Sequence, residues 1–137
     1  MTMVSSAHRV RVSVGVDLVQ LSRVEESLTR FGDRFLRRVF TEGEIAYATA
    51  APSQTSKRLA ARFAAKEATV KALDLVERGV GWREIEVGRG PSGAPTLLLH
   101  GGALAAAEEA GVEHLSLSLS HEGDYATAVV ITTRETQ

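Results

Sequence analysis

Glu67 stands four residues after Phe63 and three before Val70, on the apolar face that helical spacing gives the segment from Lys57 to Val76. A carboxylate placed there needs a partner. Lys71, four residues on, would make an ordinary helix ion pair with it. Arg62 and Lys66 crowd the same stretch, however, so one oxygen ligand is combined with several cations. That set suits a metal ion together with a polyphosphate. Mg²⁺ prefers oxygen ligands and is commonly held by one or two carboxylates plus substrate phosphates. A second carboxylate is available in Asp17, which ends an alternating strand and whose alternative role is a helix cap or surface turn. Asp17 can meet Glu67 only if that strand packs beside the long helix.

Other motifs carry less chemistry. His121 ends a strand next to a turn, where an imidazole titrating near neutral pH would suit a ligand contact or proton transfer, although a lone loop histidine is more often structural. Ser116, Ser118 and Ser120 alternate with leucines as a polar strand face, and no G-x-S-x-G elbow accompanies them. Gly88, Gly90 and Gly93 spell G-x-G-x-x-G, but Pro91 and Pro95 interrupt it and a strand follows, so it reads as a hairpin turn and not as a dinucleotide fingerprint.

The elements that must position these residues follow from periodicity and caps. Val10, Val12, Val14 and Val16 alternate with Arg9, Arg11, Ser13 and Gly15, the pattern of a half-buried strand running into Asp17. Ser22 with Glu25, and Thr41 with Glu44, read as capping boxes opening two helices. The strongest helix spans about Lys57 to Val76. Strands are expected at Glu84 to Val87, Thr96 to Leu99, Leu115 to Ser120 and Tyr125 to Thr132, with a helix from Ala103 to Ala110 closed by Gly111. The expectation is an α+β single domain over residues 1–137, an antiparallel sheet packed on a long helix, with residues 1–8 as a flexible tail.

Composition narrows the partners. The 137 residues are 44% hydrophobic and 24% charged, a globular balance. There is no cysteine, which excludes a disulfide framework and a zinc-thiolate cluster. No leader or membrane-length apolar run is visible, so a cytoplasmic protein is expected. The net charge of −1 conceals an asymmetry: residues 9–71 carry 12 Lys/Arg against 7 Asp/Glu, and residues 72–137 carry 4 against 10. The first half should attract anions.

Four pieces together resemble a known family. They are Gly15-Val16-Asp17; Phe35, Arg38, Phe40, Thr41, Glu44 and Tyr47 in an F-x-x-R-x-F-T-x-x-E-x-x-Y pattern; the block from Ala60 to Ala72 containing Phe63-Ala64-Ala65-Lys66-Glu67-Ala68; and Ser118-Leu119-Ser120-His121. In order and spacing they resemble the holo-acyl carrier protein synthases, which have the 4'-phosphopantetheinyl transferase fold, over Val14 to about Ile131. The resemblance implies that Asp17 and Glu67 ligate magnesium, and that Arg62, Lys71 and His121 contact coenzyme A, with Lys66, Gly93, Pro95 and Ser120 as further contacts. It implies a homotrimer with sites between subunits, and a first helical region whose Arg23, Arg30, Arg34 and Arg38 dock an acidic acyl carrier protein. Three features depart from the family pattern: the N-terminal extension, Asp74 where a glycine is frequent, and Glu122 after the histidine where an aspartate occurs in some members.

The reaction so implied is attack of a carrier serine on the β-phosphate of coenzyme A, with Lys71 and Arg62 neutralising charge and either Glu67 or His121 taking the serine proton. The rival readings are a non-enzymatic nucleotide- or RNA-binding module and an inactive relative with the same fold. Only 5% aromatic residues leave few stacking platforms for the first. Asp17, Glu67 and Lys71 all being present weighs against the second.

Overall fold

In a computed structural model, which describes residues 9–136, the chain runs through five strands and five helices: β1 (Arg9–Gln20), α1 (Leu21–Phe31), α2 (Asp33–Val39), α3 (Glu42–Thr49), α4 (Thr55–Leu73), β2 (Ile85–Arg89), β3 (Pro95–Leu99), α5 (Gly101–Glu109), β4 (His114–Glu122) and β5 (Tyr125–Thr136). The expected tail, residues 1–8, lies outside the described residues. Short 3₁₀ turns precede α4 and β2. The α+β expectation holds, with two antiparallel sheets: a three-stranded one in the order β1-β5-β4, and the separate β2-β3 hairpin.

α4 lies across one face of the large sheet. Ala60, Ala64, Ala65, Ala68 and Ala72 form its inner stripe against Val19, Ala126, Ala128 and Val130 of the strands, all in one buried cluster. Alanine favours the helix and keeps the stripe thin, so the strand can come close. Gly15 takes this to the limit: a Cβ built there would sit 1.8 Å from the Ala68 carbonyl oxygen. Strand β1 therefore touches helix backbone at the point from which Asp17 projects two residues later.

The alternating valines of β1 take the opposite side. Val10, Val12, Val14, Val16 and Leu18 are all more than half exposed in the single chain, while Gly15 and Val19 face the helix. The half-buried pattern is present, but its apolar stripe faces out and its small residues face in.

Two helix boundaries differ from the sequence expectation. α4 ends at Leu73, not near Val76, because Asp74 turns into the left-handed region at φ 54° and its N–H caps the helix. α1 carries no Ser22–Glu25 capping box; Asp124, in the β4–β5 turn, accepts from the Ser22 N–H at 3.1 Å and from its hydroxyl at 2.7 Å instead. The Thr41–Glu44 box at α3 is present in full, with Glu44 N–H donating to Thr41 Oγ1 and Thr41 N–H donating to Glu44 Oε1.

Candidate active site

Asp17, at the helix-facing side of β1, and Glu67, on the flank of α4, line one cleft of about 450 Å³ with Arg23, Phe35, Phe63 and Tyr125. The strand does pack beside the long helix, as their meeting required. Glu67 shares its half-buried flank with Phe63 and Val70, at the edge of the helix's buried face and not at its centre. Burial pushes the Glu67 carboxyl above its ordinary value, the Asp17 charge adds to the shift, and Lys71 opposes it. Lys71 Nζ donates to the Val16 carbonyl at 2.9 Å and lies 3.2 Å from Asp17 Oδ1. The sequence pairing of Lys71 with Glu67 is thus replaced by a pairing across elements. Two carboxylates face one cleft with a single ammonium bound to one of them, a donor set that a divalent cation would complete. Among the described residues no group of three or more His, Cys, Asp or Glu could hold a metal alone. The fit is therefore to an ion such as Mg²⁺ that shares its shell with water and substrate oxygens.

A second cluster lies one to two turns back along α4. Arg62 is 5% exposed, and its Nε is a buried nitrogen with no hydrogen-bond partner. Its guanidinium carbon is 4.2 Å from the Tyr47 ring centroid; those of Arg58 and Arg89 are at 4.0 and 4.8 Å. Desolvation pulls the Arg62 guanidinium below its ordinary value, and Arg58 and Arg89 act in the same direction against Tyr47 and Glu44. Three guanidiniums packed around one phenol ring, with no carboxylate in ion-pair contact among the described residues, form a site that an anion would relieve. Gly93 belongs here: its carbonyl accepts from Arg89 Nε at 3.3 Å, and a Cβ on it would meet Arg89 at 3.0 Å. Pro95 opens β3 opposite Arg89, so Gly88 to Pro95 is the hairpin turn the sequence implied. Arg58 and Arg89 escaped the sequence reading. The i−4 spacing of Arg58 from Arg62 was a signal, whereas Arg89 is brought in only by the hairpin's docking.

Lys66 requires a correction. It is fully buried, its Nζ 2.8 Å from Glu44 Oε1, and it donates to the carbonyls of Trp82 and Ile85. It faces away from the cleft, so it is not available as a coenzyme contact. A helix turns about 100° per residue, so neighbouring Lys66 and Glu67 cannot share a face.

His121 and Ser120 stand on β4, the far edge of the sheet, exposed and outside the carboxylate cleft. His121 pairs through Ala126 with Val19, about 10 Å from it at two strand spacings. Of the four arginines expected to dock a partner, Arg23 lines the carboxylate cleft; Arg34 and Arg38 flank a hollow with Ser27, Phe31 and Phe35; and Arg30 stacks on Phe31 at 5.3 Å.

Residues 13–130 match the model of the 4'-phosphopantetheinyl transferase superfamily. The chain is 46% identical over 121 residues to a holo-[acyl-carrier-protein] synthase of Koribacter versatilis, covering 88% of this chain and 96% of that one. The chain belongs to the holo-acyl carrier protein synthase family. A second relative of that name, from Gloeobacter violaceus, is 48% identical over 117 residues, covering 85% and 89%. Among solved structures, the Chronobacterium ammoniagenes ACPS–CoA complex superposes with a TM-score of 0.79 at 36% identity, covering 93% of this chain and 99% of that one. The Helicobacter pylori synthase in complex with coenzyme A gives 0.75 at 30%, covering 87% and 98%. The likeness spans the sheet, the long helix and the hairpin alike.

Proposed function

We infer that this chain transfers the 4'-phosphopantetheine group of coenzyme A to a serine of an apo-acyl carrier protein and releases adenosine 3',5'-bisphosphate. The observation that carries this reading is the pairing, along one helix, of an Asp17–Glu67 carboxylate cleft with an anion site at Arg62. A nucleic-acid-binding module is not favoured, since it gives the carboxylate pair no role.

Asp17 and Glu67 would hold Mg²⁺, which supplies charge neutralisation at the pyrophosphate. Arg62, with Arg58 and Arg89, binds the phosphate-rich nucleotide end. The serine oxygen forms its bond to the β-phosphorus while the bond from that phosphorus to the bridging oxygen breaks, and the bisphosphate leaves with the electron pair. Lys71, tethered to Val16 and Asp17, stands beside the carboxylates to stabilise that charge. The serine proton goes to Glu67 or to His121.

A homotrimer accounts for two further features. The open sheet face carries Val10, Val12, Val14, Val16 and Leu18, with Val129 and Ile131 in register beside Val16 and Val14, more contiguous apolar surface than a monomer leaves in water. His121 stands away from the carboxylates of its own chain, and a neighbouring copy in a closed ring would bring it to the next site. Arg34 and Arg38, beside exposed Phe31, form a docking surface for an acidic carrier. No helix among the described residues is long and apolar enough to cross a membrane.

The decisive experiment is mass spectrometry of an apo-carrier incubated with the protein, coenzyme A and Mg²⁺. The expected result is a carrier heavier by one phosphopantetheine, abolished by chelator. An unmodified carrier across several candidates would overturn the reading.

A further inference from the structure

The buried pair of Lys66 and Glu44 lies outside the reaction, yet it touches every element that builds the Arg62 cluster. Glu44 is 1% exposed and Lys66 0%. Glu44 Oε1 meets Lys66 Nζ at 2.8 Å and accepts the Thr41 N–H at 2.8 Å; Oε2 accepts the Val87 N–H at 2.8 Å. Lys66 in turn donates to the Trp82 carbonyl at 3.1 Å and to that of Ile85. Thr41 Oγ1 adds a bond to Glu86 Oε2 at 2.7 Å. Three separate elements are thereby fastened at one point: α3, α4 and the β2–β3 hairpin.

Each element carries a member of the guanidinium cluster a short step from that fastening. Tyr47 follows Glu44 by three residues on α3, and Arg62 precedes Lys66 by four on α4, so each lies one helical turn away. Arg89 follows Val87 by two on β2, on the same side of the strand. A shift of the pair would therefore be transmitted to the ring and to two guanidiniums together. A buried ion pair is weak evidence for stability, because well-packed apolar residues can replace it without loss. Its directional bonds to three segments make register the better explanation.

We propose that Lys66 and Glu44 are positioning residues for coenzyme binding: their ion pair sets α3 and the β2–β3 hairpin on α4 so that Tyr47 and Arg89 close around Arg62. The proposal rests on the transferase reading above, and its test separates the two. Binding of adenosine 3',5'-bisphosphate and of coenzyme A is measured by calorimetry in chelating buffer, where the carboxylate cleft contributes no metal. The proteins compared are the wild-type chain, the Glu44→Gln and Lys66→Met single variants and the neutral double variant. The double variant should fold, having no unpaired buried charge, yet bind both ligands roughly tenfold or more weakly, because charged contacts depend on alignment. In steady-state transfer its KM for coenzyme A should rise while KM for the carrier stays unchanged, a split that general loosening of the fold would not produce.

A folded double variant with wild-type affinity for both ligands would overturn the proposal, as would equal rises in both KM values. Should the double variant fail to fold, Glu44→Asp carries the same test, since it keeps the buried charge but draws the carboxylate back from Lys66 Nζ and the Val87 N–H. Weaker coenzyme binding with unchanged carrier KM supports the positioning role, and unchanged binding overturns it. A wild-type chain that binds neither ligand would instead strike down the coenzyme reading itself, and the positioning role with it.

Discussion

Glu67 is the residue whose chemistry is most sensitive to its setting. Its carboxyl holds its proton more tightly in the folded chain than in the unfolded one, because burial and Asp17 both disfavour the anion. The folded state then binds more protons than the unfolded state as pH rises past the ordinary glutamate value, so stability falls with rising pH in that window. Glu67→Gln should remove this slope. In chelating buffer between about pH 4 and 8, thermal melts should show the variant gaining on the wild-type chain toward neutrality. Mg²⁺ should raise the wild-type melting temperature and leave that of Glu67→Gln unmoved, since an ion bound only by the folded state stabilises it by mass action. Transfer should be abolished in Glu67→Gln and in Asp17→Asn. Equal pH slopes for wild type and variant would remove Glu67 from this role.

At the scale of the element, the site depends on how closely β1 approaches α4. Gly15 allows strand backbone to lie on helix backbone, and a Cβ there has no flexible side chain to displace, only the Ala68 carbonyl and the Ala72 backbone nitrogen. Gly15→Ala should cost about 2 kcal/mol or more by overpacking and should shift Asp17 relative to Glu67. Denaturant titration would read the first effect, and the Mg²⁺ dependence of the residual activity the second. The end of α4 makes the opposite prediction. Asp74 sits at φ 54° with an acidic side chain at the negative end of the helix dipole, two costs that glycine avoids. Asp74→Gly should be neutral to stabilising, by up to about 1 kcal/mol, once the entropy glycine adds to the unfolded chain is set against the relieved strain. A lower melting temperature in this variant would mean that Asp74 has a partner role that outweighs its backbone strain.

For the whole molecule, the questions are how copies associate and where the carrier arrives. Val14 sits mid-strand on the open sheet face opposite Ile131. Val14→Glu should leave the monomer fold intact, since the site is exposed in the single chain, but should prevent association by placing a charge in the apolar contact. Light scattering should then show a trimer for the wild-type chain and a monomer for the variant, with transfer activity lost if each site draws His121 from its neighbour. A monomeric wild-type chain would defeat this arrangement. Carrier docking is best probed at Arg34, which stands clear of the carboxylate cleft that Arg23 lines. Arg34→Glu should raise the KM for an acidic carrier and flatten its dependence on ionic strength, with coenzyme A affinity unchanged. An unaltered carrier KM and salt slope would place the carrier elsewhere.

The sequence by itself determined the strands and every helix but α2, the hairpin turn at Gly88 to Pro95, the Thr41–Glu44 cap and the family, because these rest on local spacing and on short motifs in a fixed order. It also made Asp17 and Glu67 the candidate carboxylates. Local pattern could not say which neighbour on a helix is buried: Lys66 and Glu67 differ by one step of rotation, and only the hairpin packing on α4 sends the lysine inward to Glu44 and leaves the glutamate at the cleft. Nor could alternation say which face of β1 is covered, since five valines and leucines look like a core face until the alanine stripe of α4 takes the glycine side. The cap of α1 came from Asp124, 102 residues away, and the Arg89 arm of the anion cluster from a strand beyond α4. Periodicity records which residues travel together on a face. What that face meets is decided by contacts between distant segments, through packing and charge that no local window contains.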